Sequence, residues 1–320
     1  MPQGLYIDLN DGRPPMEITS GVRCPSYCMT TEQTVAYSSV AVSNYVSGSQ
    51  LLFIPRQTVQ SYREGTNLVP TVDVLSGVTF SGGTMTHATW NSMSHAVNMI
   101  WPGTVWQILP ASSGSIGLYI QDSTDFLSIT DATMSGQCVY AAEITVSGSW
   151  DTPTIAGYDR EKYSVFARWN AAGVVVDFDG STIMAFVERD GEDVPASVTM
   201  TVAIFASGVA PTPGDGLTIL NSKGACTFST VKRPFIYHGA LYTPSFANAD
   251  IGNRMVLLGR YGYSSKANSG WCWLKFAGLV MQGNNVRLGG GQVQNYWTDQ
   301  YPVTGQRATA ISIPCVDNIY

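Results

Sequence analysis

Apolar, β-branched and aromatic residues alternate with polar residues in short runs along most of the chain. These runs recur roughly every ten residues and are bounded by Gly, Pro, Asn or Asp, which is typical of sandwiches and barrels whose strands are joined by hairpins. The clearest runs are residues 5–9, 34–46, 50–54, 105–109, 116–121, 137–146, 163–169, 174–178, 182–188, 197–205, 233–238, 271–281 and 308–314. The pattern predicts an all-β fold of β-sandwich or jelly-roll-like modules.

Very little helix is expected. The best helical candidate, residues 158–170, has only about one or two turns of apolar i, i+3, i+4 spacing. Two hairpins can be placed from their turns. In residues 174–187, Asp179-Gly180 supplies the positive φ angles that a tight turn needs. In the second hairpin, residues 276–281 lead through Gln-Gly-Asn-Asn into residues 286–288.

Two domains are predicted from the length of 320 residues, because single hydrophobic cores stop growing at about 250 to 300 residues. The segment 206–215 indicates a boundary near residue 210, since its prolines cannot donate to a β-ladder. This boundary divides an N-terminal β domain, residues 1–210, from a smaller basic C-terminal β-sandwich domain, residues 211–320. Residues 62–95, rich in Gly, Ser and Thr, are expected to be an irregular insertion.

The chain is unusually poor in charge. Only 12% of its residues are charged, against about 25% in typical globular domains, so hydroxyls, amides and turns must form much of the surface. A net charge of −6 and scattered Lys and Arg residues argue against binding to nucleic acid. Residues 1–215 carry 8 basic and 20 acidic side chains, whereas residues 216–320 carry 9 and 3. The C-terminal part is therefore expected to contact the acidic remainder of its own chain or an acidic partner.

The first residues form neither a basic nor an apolar leader, and no apolar run is long enough to span a membrane as a helix. The sequence therefore predicts a protein assembled in the cytoplasm without membrane insertion. Its six cysteines are too sparse for a disulfide scaffold and are expected to be buried free thiols.

Motifs for metal binding or catalysis are weak. The three histidines, His87, His95 and His238, lack partners at metal-ligand spacing, and Cys24 and Cys28 fit neither a zinc knuckle nor a redox pair. The oxygen-bearing residues Asp177, Asp179, Ser181 and Glu188 have the spacing of a calcium loop, but apolar residues fill that loop and a hairpin explains them. The acidic segment 188–193 is expected to be a solvated turn. We predict no metal, no cofactor and no catalytic residue.

Carboxylates for glycoside cleavage are the remaining catalytic candidates. Asp122, Asp125 and Asp131 lie close in sequence, and residues 113–117 match only half of a nucleophile elbow. Any acidic turn would give the same pattern. The chain is therefore predicted not to be an enzyme.

The strongest candidates for a binding surface are aromatic residues bracketed by polar turns. They are Tyr261 and Tyr263, Trp271 and Trp273, and Tyr296, Trp297 and Tyr301. A spacing of two places the members of a pair on one face of a strand. Tyr and Trp are favoured at interfaces because their rings are apolar and carry a polar group. The rings could belong to the core, anchor a protein interface or stack on sugars, and the sequence leaves these three interpretations open.

A short motif occurs twice in the chain. It opens with Gly4-Leu-Tyr-Ile-Asp-Leu-Asn-Asp-Gly12, and Gly216-Leu-Thr-Ile-Leu-Asn-Ser-Lys-Gly224 follows the predicted boundary. Each copy is a strand that runs into an Asn/Asp/Gly turn, and each is followed by a second short run. An Arg and a Pro come next, Arg23 and Pro25 in the first copy and Arg233 and Pro234 in the second. Two related β-modules are therefore predicted.

This opening resembles that of minor tail and tail-tip proteins of long-tailed, lambda-like and T1-like bacteriophages. Those proteins often begin Gly-Leu-x-Ile-x-Asn, followed by a Gly turn and an Arg-containing strand. The resemblance covers about 25 residues at each of the two places. The low charge and the abundance of Ser, Thr, Gly and Tyr are also similar to those of phage tail and fibre modules. The chain departs from trimeric fibre shafts in lacking coiled-coil heptads and fibre repeats.

The resemblance implies a structural virion protein at or near the tail tip or tail fibre, assembled in the host cytoplasm and bound to other phage tail proteins. Tails impose three-fold or six-fold symmetry, so a homo-oligomer, either a trimer or a ring, is expected. One alternative is a receptor-binding module for a host-surface glycan or an outer-membrane protein. A second alternative is a tail enzyme that degrades polysaccharide, which needs two close carboxylates.

Overall fold

The computed structural model of the chain describes residues 4–19, 21–31, 39–63, 67–94, 101–110 and 134–320. The fold is nearly all β, with 56% of residues in strands, which confirms the predicted class. Within the described ranges the only helical element is a short 3-10 helix, Arg160–Lys162. No helix in this part of the chain is long and apolar enough to cross a membrane.

Twenty-six strands follow one another in the described residues. The first thirteen are β1 (Gly4–Ile7), β2 (Met16–Thr19), β3 (Ser26–Thr31), β4 (Ser39–Ala41), β5 (Gln50–Pro55), β6 (Val59–Tyr62), β7 (Thr71–Ser81), β8 (Thr84–Asn91), β9 (Gly103–Ile108), β10 (Met134–Ser135), β11 (Gln137–Ser147), β12 (Ser149–Asp151) and β13 (Ser164–Trp169). The others are β14 (Val174–Phe178), β15 (Thr182–Val187), β16 (Ser197–Ala206), β17 (Thr218–Leu220), β18 (Cys226–Ser229), β19 (Leu241–Tyr242), β20 (Ala249–Asp250), β21 (Arg254–Leu257), β22 (Gly262–Asn268), β23 (Trp271–Gln282), β24 (Asn285–Thr298), β25 (Gly305–Ala308) and β26 (Ile313–Asp317).

Antiparallel pairing arranges these strands in five sheets in the described part of the chain. The largest has 14 strands, in the order β19-β26-β21-β13-β16-β11-β12-β15-β14-β23-β22-β25, with β24 paired to both β23 and β20. Two four-stranded sheets have the orders β10-β3-β9-β5 and β4-β8-β7-β6. The pairs β1–β2 and β17–β18, which carry the repeated motif, form two-stranded sheets of their own.

Both hairpins placed from the sequence are confirmed. In the β14–β15 hairpin, Gly180 has φ 102° and the Asp179 side chain accepts hydrogen bonds from the backbone N–H groups of Ser181 and Thr182. The β23–β24 hairpin turns at Gly283, with φ 60°. β23 matches the predicted run 271–281, whereas β24 is much longer than the predicted 286–288 and pairs with β23 as far as Trp271 opposite Thr298.

Three local expectations are wrong. Residues 62–95 were expected to be irregular, but β7 and β8 form a hairpin whose turn includes Gly82 at φ 56°. Residues 233–238 form isolated bridges instead of a strand. The run 308–314 is divided between β25 and β26, because the N–H and hydroxyl groups of Thr309 turn away to bond the carbonyls of Tyr261 and Leu75. The run 116–121 and residues 34–38 of the run 34–46 lie outside the described residues.

One hydrophobic core extends across the predicted boundary at residue 210. Phe205 packs on Phe235 and Tyr320, with ring centroids 5.1 Å and 4.8 Å apart, and Phe166 of β13 pairs with Leu257 of β21. The parts before and after residue 210 therefore share a sheet and a core. The six cysteines are free and buried, as predicted.

Candidate functional site

At the open end of the β23–β24 hairpin, alternate residues point to opposite faces of the strands, so some aromatic side chains are buried and others are exposed. Cys272 and Leu274 of β23 and Trp297 of β24 are buried in a small hydrophobic core. Their neighbours point to the opposite face, where Trp271 and Tyr296 are 45% and 53% exposed. The predicted placement of alternate residues on one face therefore holds for this hairpin.

Three of these side chains, Trp271, Trp273 and Tyr296, touch one another and form an aromatic cluster. Tyr296 lies directly across from Trp273 in the β-ladder. Its ring centroid is 5.3 Å from that of Trp273 at an interplanar angle of 31°, and 5.5 Å from that of Trp271 at 78°. The Trp273 indole donates to the carbonyl oxygen of Asn268 at 3.3 Å. Cross-strand pairing thus fixes three rings in one exposed patch.

The aromatic cluster forms one wall of a groove of about 610 Å³. The other wall is the segment after β15, which contributes Arg189, Gly191 and Glu192. We call this feature the aromatic groove. Its volume lies within the range of roughly 300 to 1,000 Å³ that small-ligand sites occupy.

Gly191 allows the two walls to approach each other. Its φ of 89° favours glycine, and a Cβ atom there would lie 2.8 Å from the Asn268 side-chain amide nitrogen. That amide donates to the carbonyl oxygen of Asp190 at 3.2 Å. A larger residue at position 191 would therefore push the segment away from the end of β22 and widen the groove.

Ion pairs hold the segment 188–193 against the sheet. Lys266 is 2.9 Å from Asp190, and the buried Lys275 ammonium is 3.1 Å from Asp193. The other Asp193 oxygen accepts a hydrogen bond from the backbone N–H of Val293 at 2.9 Å. The segment is exposed at Arg189, Asp190 and Glu192, as expected of a solvated turn, but its acidic residues are also paired with bases on the β22–β24 strands.

A second cavity of about 250 Å³ lies beside Trp273 and is lined by Glu188, Lys266 and Lys275. Arg287 donates two hydrogen bonds to Glu188, at 2.5 Å and 2.7 Å. These bonds raise the pKa of Arg287. Lys266, Lys275 and Arg287 thus each have an acidic partner close by, which reduces the net electrostatic field along the groove, while the Arg189 guanidinium donates to the backbone carbonyl of Asp190.

The same intrachain pairing recurs elsewhere and accounts for the uneven charge of the sequence. Bases of residues 216–320 meet acids of residues 1–215 in five ion pairs: Arg233–Asp11, Arg260–Asp177, Lys266–Asp190, Lys275–Asp193 and Arg287–Glu188. The basic part therefore contacts the acidic remainder of its own chain, which was one of the two interpretations of the sequence.

The other predicted aromatic residues do not join the cluster. Tyr261 is buried and its hydroxyl donates to the carbonyl oxygen of Leu257 at 2.8 Å. Burial raises the pKa of that hydroxyl well above its ordinary value. Tyr263 stacks on Trp90 at 6.0 Å between centroids, with the Arg307 guanidinium over the Trp90 ring. Tyr261 and Tyr263 thus belong to two different hydrophobic clusters, although their spacing of two predicts that they share one face of a strand.

Trp297 and Tyr301 are also separated from the groove. Trp297 belongs to the buried side of β24 and donates from its indole to the backbone carbonyl of Tyr301 at 2.9 Å. The Tyr301 side chain is 54% exposed but does not line the groove. Core packing therefore explains Tyr261 and Trp297, and only Trp271, Trp273 and Tyr296 form a shared surface.

A buried polar network lies close to the triple glycine of β24. Asp177 is fully buried, accepts from Arg260 at 2.7 Å and from the Gln292 backbone N–H at 2.9 Å. Burial raises the pKa of Asp177, although the charge of Arg260 and its hydrogen bond act to lower it. A Cβ atom on Gly291 would lie 2.8 Å from the Asp177 carboxylate. The glycine run 289–291 is therefore part of a strand that passes closely over this carboxylate.

Several candidate residues for catalysis fall outside the described residues: His95, the segment 113–117, Asp122, Asp125 and Asp131. Among the described residues, no group of three or more His, Cys, Asp or Glu side chains could hold a metal ion. His238 is hydrogen-bonded to Asp317, which raises the pKa of the histidine. Asp177 and Asp179 belong to the β14–β15 hairpin and not to a calcium loop.

Sequence reasoning missed the second wall of the groove. Arg189 and Glu192 reach the aromatic cluster only because β15 runs beside β14, which in turn pairs with β23. The one local sign was Asp190-Gly191, a dipeptide typical of tight turns, within an acidic segment.

Comparison with known proteins gives one match. The model of a family described as "Family of unknown function (DUF6453)" matches residues 4–299, nearly the whole chain. No curated protein and no solved structure matches the chain.

Proposed function

The chain belongs to DUF6453, a family whose description names no activity, and we propose that it is a structural protein of a bacteriophage tail, at or near the tail tip or tail fibre. In this role it binds other tail proteins and contributes to host attachment. The role needs contact surfaces and no turnover.

Two open hairpins carry this proposal. The β1–β2 and β17–β18 hairpins have no further strand beside them among the described residues, and their strands β1 and β17 are partly exposed. Exposed apolar side chains lie on them: Tyr6 is 64% exposed, Leu220 51% and Leu5 36%. An exposed apolar edge strand is a template for a strand of another chain. These are also the segments that resemble phage tail proteins, which supports a role in assembly.

A buried guanidinium holds the two hairpin modules together. Arg233, which follows β18, donates to Asp11 at 2.8 Å and to the carbonyl oxygen of Pro14 at 2.6 Å, both in the β1–β2 connection. Burial acts to raise the pKa of Asp11, but hydrogen bonds from Arg233 and Arg13 lower it on balance. The two hairpins are thus linked within one subunit, which suits a subunit of a trimer or ring.

Particles of a phage that encodes this chain provide the test. We expect mass spectrometry of washed particles to find the chain in multiples of about three or six copies, and gold labelling to place it at one end of the tail. Its absence from washed particles, with free chain left in the lysate, would contradict the proposal.

The edge itself can be tested with a matched pair of variants. Tyr6→Lys places a charge on the open β1 edge and should reduce incorporation into particles strongly, because a charge on an edge strand blocks pairing. Leu68→Lys makes the same change at a side chain that is 52% exposed but lies outside both hairpins. Equal incorporation of the two variants would rule out the hairpin edges as the assembly surface.

A further inference from the structure

We propose that the aromatic groove binds a neutral oligosaccharide. Only the source of that ligand, the host-cell surface, rests on the proposed function; the binding itself is argued from the groove. The contacts come from Trp271, Trp273 and Tyr296 on one wall and from Arg189, Glu192 and Asn268 around it.

The exposed rings supply stacking surfaces. The C–H face of a pyranose ring is apolar and packs on an aromatic ring, which gains both area burial and dispersion. The Trp271 and Tyr296 rings remain about half exposed, so they can take a ligand without unfolding the hairpin. Because Trp271 and Trp273 are inclined at 78° and 31° to Tyr296, the cluster offers non-coplanar faces to successive sugar units.

The polar lining suits hydroxyl groups. A hydroxyl both donates and accepts, so a sugar needs donors and acceptors beside the stacking face. Arg189 supplies guanidinium donors, Glu192 supplies carboxylate acceptors, and Asn268 and Ser269 supply an amide and a hydroxyl. This combination of apolar rings and mixed polar groups is what fixes orientation in small-ligand sites.

Charge balance favours a neutral ligand. The charged side chains that line the groove are one cation, Arg189, and one anion, Glu192, so the lining has no net charge, and the neighbouring Lys266 and Lys275 are paired with Asp190 and Asp193. A phosphate or uronate ligand would have to compete with these carboxylates and would face Glu192 as well. A neutral sugar has no such cost.

The form of the site also favours a small ligand over a protein. A standard protein interface buries about 800 Å² on each partner around an apolar centre. Here the exposed apolar surface is limited to three rings, and a charged segment stands opposite them across a groove. A protein partner remains an outcome that the test detects.

The test applies the full chain to an array of bacterial-surface oligosaccharides, with neutral glucose, galactose and rhamnose polymers beside uronate- and phosphate-containing ones. Calorimetry then measures the affinity for the strongest neutral hit. We expect saturable binding that Trp271→Ala and Tyr296→Ala each weaken by at least about fivefold, since a lost stacking ring costs on the order of 1 kcal/mol or more. Tyr301→Ala removes an equally exposed ring outside the groove and should change the affinity less than about twofold.

The outcomes separate this inference from the proposed function. No binding to any neutral oligosaccharide up to about 10 mM, or equal affinity of Trp271→Ala and Tyr301→Ala, would overturn the groove as a sugar site even if the chain is found in tails. Loss of particle incorporation in Trp271→Ala without any sugar binding would instead identify a protein-contact surface. Sugar binding by a chain that is absent from particles would keep the inference and refute the tail role.

Discussion

Protonation of His87 should destabilise the fold in mildly acidic solution. The side chain is 1% exposed, packs edge-on against Phe53 with centroids 5.2 Å apart, and has no hydrogen-bond partner for either ring nitrogen among the described residues. Burial lowers the pKa of His87 to about 4. In an unfolded chain the pKa is about 6.5. Between these values the unfolded state binds a proton that the folded state excludes, so stability falls as the pH falls.

The size of the effect follows from the two pKa values. The contribution of His87 is fully present above about pH 6.5 and is lost progressively towards pH 4, with a limit of about 3 kcal/mol. Between about pH 7.5 and about pH 5 the loss is about 2 kcal/mol. With a urea m-value of about 3 kcal/mol per molar, the unfolding midpoint should move down by roughly 0.7 M.

Urea unfolding of His87→Leu measures this contribution, because leucine has a similar branched shape and cannot bind a proton. The variant should lose about 2 kcal/mol less than the natural chain between about pH 7.5 and about pH 5. His238→Gln is the control, since the hydrogen bond that His238 makes to Asp317 raises the pKa of His238. That contribution is present below the unfolded pKa and is lost as the pH rises, which is the opposite sign. If the free energy of unfolding depends on pH in the same way in the natural chain and in His87→Leu, burial of the neutral His87 does not contribute to the pH dependence.

Two buried contacts give further predictions. Asp177→Asn leaves the Arg260 guanidinium without its counter-charge and should cost about 3 to 5 kcal/mol of unfolding free energy. The double variant Asp177→Leu with Arg260→Met removes both charges and should recover most of that loss. Undiminished stability of the single variant would contradict this. Gly278→Ala places a methyl group against the Val176 carbonyl oxygen and should cost about 1 to 3 kcal/mol or more in thermal unfolding. Gly77→Ala, with open space around it, should cost no more than about 1 kcal/mol, and equal losses at the two positions would count against the close strand approach.

Local features of the fold could be predicted from the sequence because they depend on neighbouring residues. Asp179-Gly180 determines the turn of the β14–β15 hairpin, and β-branched runs on either side supply its strands. The β7–β8 hairpin was missed because Ser, Thr and Gly in residues 71–91 are also typical of loops. There, β7 is buried throughout residues 71–75 and β8 alternates buried Met85 and His87 with less buried neighbours, and this tertiary burial decides the structure.

The aromatic cluster, too, could be predicted only in part from the sequence. The spacing of Trp271 and Trp273 predicts a shared face, but Tyr296 joins them only through the register of β23 and β24, which includes two irregularities. Such shifts cannot be read from spacing, since one residue of slip moves a side chain to the other face. The need for glycine at position 291 cannot be read from the local sequence, because the Asp177 carboxylate that a Cβ atom would meet comes from a distant strand.

A three-dimensional density map of the intact phage tail would test the central claim, a tail subunit with an open aromatic groove, most directly. We expect copies of the chain at the tail tip or fibre, with the β1–β2 edges against neighbouring subunits and with Trp271 and Tyr296 exposed to solvent. A map that lacks the chain, or one in which a neighbouring tail protein seals the aromatic groove, would contradict it.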